Sequence, residues 1–230
     1  YPKGYNLNYL SFGGYWIGGI KGRDTLVSTG VEFTNEFMPT YYPDGDIIYR
    51  SIKDPEAPEY IDAVSQQDFI AVFADTLSDP FYNGYDYLTG RIHLPLGIKI
   101  TQRSYAWGYD YAEDFIIFDC ELVNMDFNRL KNMYIGIFMD NDCSRENNYT
   151  GFNDDICGFR RTAQSRYIPG LIDTINVAWA ADNNGDPDEV GKFHGDYSTT
   201  SIIATRILRA PTDSINYSFN WWVSNIYNIE

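Results

Sequence analysis

Apolar and polar residues alternate through most of the chain in short runs, and Gly, Pro, Asn and Asp fill the gaps between runs. Alternation with a period of two is typical of strands that bury one face of a sheet. Turn residues at regular intervals between such runs favour an all-β sandwich. We therefore expect an antiparallel β-sandwich with long acidic loops, forming a single domain over residues 1–230. Strands are predicted at 15–20, 26–33, 46–52, 96–107, 114–124, 132–140, 155–161, 174–181, 200–209 and 215–224.

Two segments carry more specific local predictions. Residues 96–107 and 114–124 form the best-supported hairpin, joined through a polar loop at 108–113. Ser65 and Asp68 have the spacing of a helix capping box ahead of an apolar run, which predicts a short helix near 66–76. A buried strand fits the same run, because periodicity does not separate the two over so few residues.

The negative net charge of the chain argues against several classes of binding partner. The chain has 17 Lys and Arg against 32 Asp and Glu, a formal net charge of −15. Phosphates would be repelled, so we expect neither nucleic acid nor an anionic membrane surface as a partner. No apolar run reaches the roughly 18–20 residues of a membrane-spanning helix, so we also expect no membrane span.

Enzyme signatures are mostly absent from the sequence. It has no G-x-S-x-G, H-E-x-x-H, P-loop, C-x-x-C or dinucleotide-binding glycine motif. Its two histidines, His93 and His194, are expected to be ordinary loop residues. We therefore expect a protein that is not an enzyme. A hydrolase fragment that uses paired carboxylates stays open, since so many acids guarantee some close pairs.

Two acidic clusters, each following an apolar strand, suggest cation sites. Convergent Asp and Asn side chains supply the oxygen ligands that Ca²⁺ prefers. Solvated acidic loops are the alternative interpretation. The predicted calcium ligands are Asp140, Asp142, Asp154 and Asp155 in the first cluster and Asp182, Asn184, Asp186 and Asp188 in the second.

Cysteines and tryptophans give further candidates. Cys120 lies in an alternating apolar run and is predicted to be a buried free thiol. Cys143 and Cys157 flank the loop of the first acidic cluster, which suggests a disulfide, with two unpaired thiols as the alternative. Exposed tryptophans stack against sugars, so a carbohydrate-binding surface would use Trp107, Trp221 and Trp222. Neighbouring tryptophans on a strand face opposite sides, however, so one of the last two is expected in the core.

Several blocks carry a resemblance that covers nearly the whole chain. They include GYWIGGI at 14–20, DTLVSTG at 24–30, TQRSYAW at 101–107, YIGIFMD at 134–140 and SFNWWVS at 218–224. The chain resembles uncharacterised secreted or surface proteins of Bacteroidetes and allied phyla, many of which end in a type IX secretion sorting domain. The resemblance implies export to the cell surface or the exterior, and a longer precursor.

The resemblance also implies glycosylation. Bacteria of this group O-glycosylate Asp-Ser/Thr followed by a small or aliphatic residue, and the chain has four such sites: Thr25, Thr76, Thr174 and Ser214.

These features together predict an extracellular structural or adhesive module that calcium stabilises. Its abundant tyrosines and scarce lysines favour homo-oligomer or filament contacts. A carbohydrate-binding module that recognises surface glycans is the first alternative, and a fragment of a secreted hydrolase is the second.

Overall fold

The computed structural model describes residues 7–30, 35–39, 47–86, 89–145, 155–183, 199, 201–212 and 215–221. A 3₁₀ helix spans Pro58–Asp62, and the single-turn helix α1 spans Pro80–Asn83. The strands are β1 (Leu7–Asn8), β2 (Phe12–Lys21), β3 (Asp24–Thr29), β4 (Met38–Pro39), β5 (Ile48–Arg50), β6 (Gln67–Ala74), β7 (Ile98–Ala106), β8 (Ile116–Asn124), β9 (Leu130–Asp140), β10 (Ser144–Arg145), β11 (Ile156–Gln164), β12 (Ile172–Ala181) and β13 (Ile202–Arg206).

The chain divides into two compact units, and the division falls inside β2 and β9. The central unit is Gly14–Phe138, and the terminal unit combines Tyr1–Gly13 with Met139–Glu230. The expectation of one domain over the whole chain stays a prediction.

The central unit contains the sandwich. One sheet has the strand order β3-β2-β9, and the other has the order β4-β6-β7-β8, with β5 also paired to β6. Their inward side chains form a single apolar core, because β-branched and leucine side chains alternate inward on β2, β3 and β7. That core contains Ile17, Leu26, Phe37, Leu96, Ile98 and Ile100. The prediction of an all-β, antiparallel sandwich is confirmed, and the short helix of the structure lies at Pro80–Asn83.

The terminal unit contributes a three-stranded antiparallel sheet of order β11-β12-β13 and the short pair β1-β10. The register of its main sheet is interrupted once, between Arg160 and Thr162. Asn176 lies beside this interruption on β12 with a positive φ of 45°, as expected for an extra residue in a β-bulge.

The predicted hairpin is confirmed. Of the two interpretations of the run near 66–76, the helix is wrong and the strand is confirmed. Strands β7 and β8 pair over their full length, from Ile98 opposite Asn124 to Ala106 opposite Ile116. Residues 67–74 form β6, which pairs with β7 on one side and with β4 and β5 on the other. This pairing on both sides explains why an apolar run of ambiguous period becomes a strand.

The apparent capping box begins that strand instead of a helix. The Asp68 carboxylate accepts the backbone N–H groups of Val64 (2.7 Å) and Ser65 (2.8 Å), and it also accepts the Ser65 hydroxyl. Ser65 Oγ in turn accepts the N–H of Ala106 (3.0 Å) at the end of β7. The motif therefore fixes the start of β6 against β7.

The predicted strand at 215–224 is wrong over its described part. Residues 215–221 form no strand there, and residues 222–224 lie outside the described residues. Phe219 stacks on Phe159 of β11 with ring centroids 5.6 Å apart. The segment thus packs by its side chains without joining the ladder of backbone hydrogen bonds.

Candidate functional site

The Asp75 carboxylate, just after β6, organises a buried polar centre in the central unit. Its oxygens accept the backbone N–H groups of Leu96 (2.8 Å), Gly97 (3.0 Å) and Ile98 (2.6 Å). The hydroxyl of Ser28 donates a fourth hydrogen bond at 2.7 Å. Asp75 and Ser28 are both fully buried. This carboxylate therefore replaces the hydrogen bonds that the irregular chain before β7 cannot make with a neighbouring strand.

His93 extends the same centre through both of its ring nitrogens. Nε2 lies 2.7 Å from the backbone oxygen of Asp75, and Nδ1 lies 2.9 Å from Oε1 of Glu36. Both neighbours accept hydrogen bonds, which favours the doubly protonated, charged ring. Glu36 is held by a further hydrogen bond, from the N–H of Thr29 at 2.8 Å. His93 lies outside the helices and strands, as expected of a loop histidine, but it is only 4% exposed and both of its ring nitrogens face oxygen atoms.

Both pKa values follow from this geometry. Burial by itself lowers the pKa of His93, but its hydrogen bonds to Glu36 and to the Asp75 backbone outweigh burial, so the pKa rises above its ordinary value. Burial by itself raises the pKa of Glu36, yet the hydrogen bonds from His93 and Thr29 lower it below its ordinary value. Both shifts favour the charged forms of the two side chains.

Although this centre contains Ser, His and Asp, its connections differ from those of a nucleophilic triad. In a triad, histidine accepts the serine proton, and a carboxylate orients the ring. Here the Ser28 hydroxyl donates to Asp75, and both His93 nitrogens face other oxygens. The arrangement ties together the backbone of three chain segments. Sequence reasoning missed it because the four side chains are far apart in the chain and match no motif.

A second polar centre surrounds Cys143 in the terminal unit. The Cys143 side chain is fully buried, and its backbone N–H donates to Oδ2 of Asp155 at 2.7 Å. Burial raises the pKa of the Cys143 thiol to about 12, with further contributions from the charges of Asp155, Asp182 and Asp142. We call these four residues the Cys143 cluster.

Strand pairing explains why two separately predicted acidic clusters meet here. Ile156 pairs with Ala181, so the residues just beyond that pair, Asp155 and Asp182, lie side by side at one end of the sheet. Asp182 accepts the N–H of Thr199 at 2.9 Å. Asp142 accepts the hydroxyl of Ser11. The structure therefore brings Asp142 and Asp155 of the first predicted set together with Asp182 of the second.

The predicted calcium ligands are only partly described. Asp140 is half-buried, and its backbone oxygen accepts the N–H of Ser11. Asp154, Asn184, Asp186 and Asp188 lie outside the described residues. Within the described part of the chain, no group of three or more His, Cys, Asp or Glu side chains has an arrangement that could hold a metal ion. Calcium binding stays a prediction.

All three cysteines are free thiols in the structure. Cys143 is buried and Cys157 is exposed, so the disulfide expected between them is not formed here. Cys120 is half-buried on β8, and its Sγ lies 2.7 Å from the hydroxyl of Tyr15. Burial and the neighbouring Cys120 raise the pKa of Tyr15.

The predicted sugar-stacking tryptophans are not assembled by the described contacts. Trp107, in the central unit, lies beside Phe115 with ring centroids 6.3 Å apart. Trp221, in the terminal unit, is 63% exposed, and Trp222 lies outside the described residues.

Candidate glycosylation sites are accessible wherever they are described. Thr25, Thr76 and Thr174 are all exposed, whereas Ser214 lies outside the described residues. Access alone does not select a modified residue, so glycosylation stays a prediction.

Among the described residues, no helix has the length and apolar character needed to cross a membrane. No family model matches the chain, and no curated protein or solved structure matches it either.

Proposed function

We propose that this chain is a non-enzymatic extracellular structural module that associates with further copies of itself and uses calcium to order its acidic loops. One observation carries the proposal: large apolar side chains are exposed along β8 and β9. Phe118 on β8 is 55% exposed, and Tyr134 and Ile135 on β9 are 76% and 54% exposed. Large apolar side chains left exposed on strands favour contacts with another protein chain.

The position of these strands strengthens the proposal. Among the described strands, each lies at the end of its sheet's strand order, β8 next to β7 and β9 next to β2. An edge strand presents backbone N–H and C=O groups that another strand can pair with. Apolar side chains beside such an edge favour association of sheets.

The role of calcium in this proposal rests on an electrostatic argument. Copies that each carry a net charge of −15 repel one another, and a bound cation reduces that repulsion. The Cys143 cluster concentrates three carboxylates around a neutral thiol. Near it, the buried oxygens Asn141 Oδ1 and Thr199 Oγ1 have no hydrogen-bond partner. Oxygen donors of these types are the ones Ca²⁺ binds.

Export is the remaining part of the proposal. It rests on the resemblance to secreted and surface proteins, and on exposed Asp-Thr sites at Thr25, Thr76 and Thr174. An intact mass of the protein from its native source that exceeds the polypeptide mass by whole sugar residues would support it.

Sedimentation velocity tests the association. We expect oligomers in calcium whose population rises with protein concentration, and a Phe118→Glu variant with an association constant about tenfold weaker, because a buried charge opposes the contact. Tyr167→Glu is the matched control, since Tyr167 is 90% exposed in the turn between β11 and β12. Monomers alone at high concentration, with and without calcium, would contradict self-association.

A further inference from the structure

One face of the β11-β12-β13 sheet carries a tryptophan, two arginines and uncharged polar side chains. In antiparallel sheets, directly paired residues project to the same face. Gly158 pairs with Trp179, and Arg160 and Arg206 both pair with Val177 from opposite sides. Residues two apart on β11 also share a face. We call this surface the Trp179 face; its members are Gly158, Arg160, Thr162, Gln164, Trp179 and Arg206.

Gly158 lets the indole of Trp179 pack directly over the neighbouring strand. A Cβ atom at position 158 would lie 2.6 Å from Cζ2 and 2.8 Å from Cε2 of the indole, too close for any side chain. The next strand presents only Ala204 opposite Trp179. The half-buried indole therefore has small neighbours on both sides. An aromatic ring held this way is a stacking platform for a ring-shaped ligand.

Arg160 and Arg206 flank the central strand beside this platform. Strands lie about 4.8 Å apart, so the two backbones are roughly 10 Å apart. Arg160 Nε donates to the Thr162 oxygen at 3.2 Å, and Arg206 Nη2 donates to the Thr174 oxygen at 3.3 Å. Each guanidinium has five N–H donors, so one contact leaves most of them available. Within the described residues, neither arginine forms a salt bridge with an acid.

This pair is unusual in so acidic a chain. With a net charge of −15, most of the surface repels anions. Two exposed arginines on the same row of one sheet face create a local exception, and guanidinium groups bind carboxylates through paired hydrogen bonds.

An open groove continues from Arg160 along β11. Its volume is about 440 Å³, and its lining includes Thr162, Gln164, Gly170 and Ile172. The lining mixes apolar surface with hydroxyl and amide groups. On the opposite face of the sheet, Phe159 is stacked under Phe219. The groove shares Arg160, Thr162 and Gln164 with the Trp179 face.

We propose that the Trp179 face binds an acidic oligosaccharide, a chain of sugars that carry carboxylate groups. The indole stacks against the apolar C–H face of one pyranose ring. Arg160 and Arg206 bind carboxylates on neighbouring sugars, and Thr162 and Gln164 hydrogen-bond hydroxyl groups in the groove. A neutral sugar chain would leave both arginines without a partner, and nucleic acid is disfavoured by the charge of the whole chain.

Calorimetric titration of the full chain with a galacturonic acid tetrasaccharide tests this site. Chelator is present throughout, so that calcium bridging cannot contribute and the outcome is independent of the calcium proposal. We expect saturable binding that weakens about tenfold or more in the Arg160→Gln, Arg206→Gln double variant, because two charge-assisted contacts are lost. Arg161→Gln is the matched control, since Arg161 is equally exposed but is not part of the Trp179 face, and it should bind like the wild type.

The platform is tested separately with Gly158→Ala, which displaces the indole and leaves both arginines in place. We expect weaker binding and a changed tryptophan emission on titration, with cooperative thermal unfolding retained as the check on folding. The proposal is overturned if the tetrasaccharide does not bind, or if the neutral galactose tetrasaccharide binds equally well. It is also overturned if a hexaglutamate peptide binds as tightly, since the site would then recognise anionic chains in general.

Discussion

The protein contains two acidic centres, and their negative charges are accommodated in different ways. The Asp75 carboxylate is surrounded by donors: three backbone N–H groups and the hydroxyl of Ser28. The Cys143 cluster instead places three carboxylates around a buried thiol, which their charges help to keep protonated. The Asp75 centre surrounds one negative charge with hydrogen-bond donors, whereas the Cys143 cluster brings three negative charges near one thiol.

The difference separates a structural centre from the region in which we propose that calcium binds. A buried carboxylate with a complete set of donors stabilises the fold and has no need of a cation. Crowded carboxylates repel one another unless a cation or a proton intervenes. We therefore expect substitutions at Asp75 to change stability under all conditions, and those in the Cys143 cluster to change mainly the response to calcium.

The largest effect is expected for Asp75→Asn. The amide keeps one acceptor oxygen but turns N–H groups towards buried backbone donors, so we expect the free energy of unfolding to fall by about 3 kcal/mol. Urea denaturation measures it. Asp114→Asn is the control, because Asp114 is an exposed turn residue and should shift stability by less than about 0.5 kcal/mol. Equal stability of the two variants would show that the Asp75 centre contributes little.

The His93–Glu36 pair predicts a specific pH dependence. The pKa of His93 is raised from 6.5, so its contribution to stability is complete below pH 6.5 and is lost as pH rises through the raised pKa. The pKa of Glu36 is lowered from 4.5, so its contribution is present above pH 4.5 and is lost as pH falls through the lowered pKa. The pair therefore stabilises the fold most between these two values.

Unfolding measured across pH checks this prediction. We expect the stability of the wild type to fall as the pH rises from about 6.5 through the raised pKa of His93, and His93→Gln to lose that slope. His194→Gln, at the only other histidine, should keep it. The same slope in wild type and His93→Gln would exclude the ion pair as its origin.

Calcium provides a smaller effect that sharpens the contrast between the two centres. At about ten times its dissociation constant, calcium adds roughly 1.4 kcal/mol, or about 3–6 °C in Tm, to a chain of this size. We expect this rise to exceed that with Mg²⁺, to reverse with chelator, and to disappear in Asp155→Asn. In Asp75→Asn the Tm is lower but its rise with calcium is unchanged. If neither calcium nor chelator changes the Tm, the proposal that the Cys143 cluster binds calcium is contradicted.

The smallest effect concerns the thiols. With Cys157 exposed and unbonded, Cys157→Ser should change stability by less than about 0.5 kcal/mol. Alkylation of the unreduced, denatured wild-type protein should add three groups, as counted by intact mass. A single added group would instead reveal the disulfide expected from the spacing of Cys143 and Cys157, with a chain-entropy contribution of roughly 3 kcal/mol.

The Ser65–Asp68 pair shows where sequence reasoning ends. The residues do make the short-range hydrogen bonds that their spacing suggests, but they do so at the start of β6. A capping motif and an apolar run of five residues fit a helix and a strand equally, and only pairing with β7 separates the two.

The sequence by itself determined the sheet class, the β7–β8 hairpin and the absence of a membrane-length apolar run, because each depends on short-range alternation and turn residues. Tertiary structure alone decided which acids are buried, which partners they have, and that Asp155 lies beside Asp182. It also decided that Trp179, Arg160 and Arg206 share one face. These groupings depend on strand register, and register joins residues far apart in the chain that no local pattern connects.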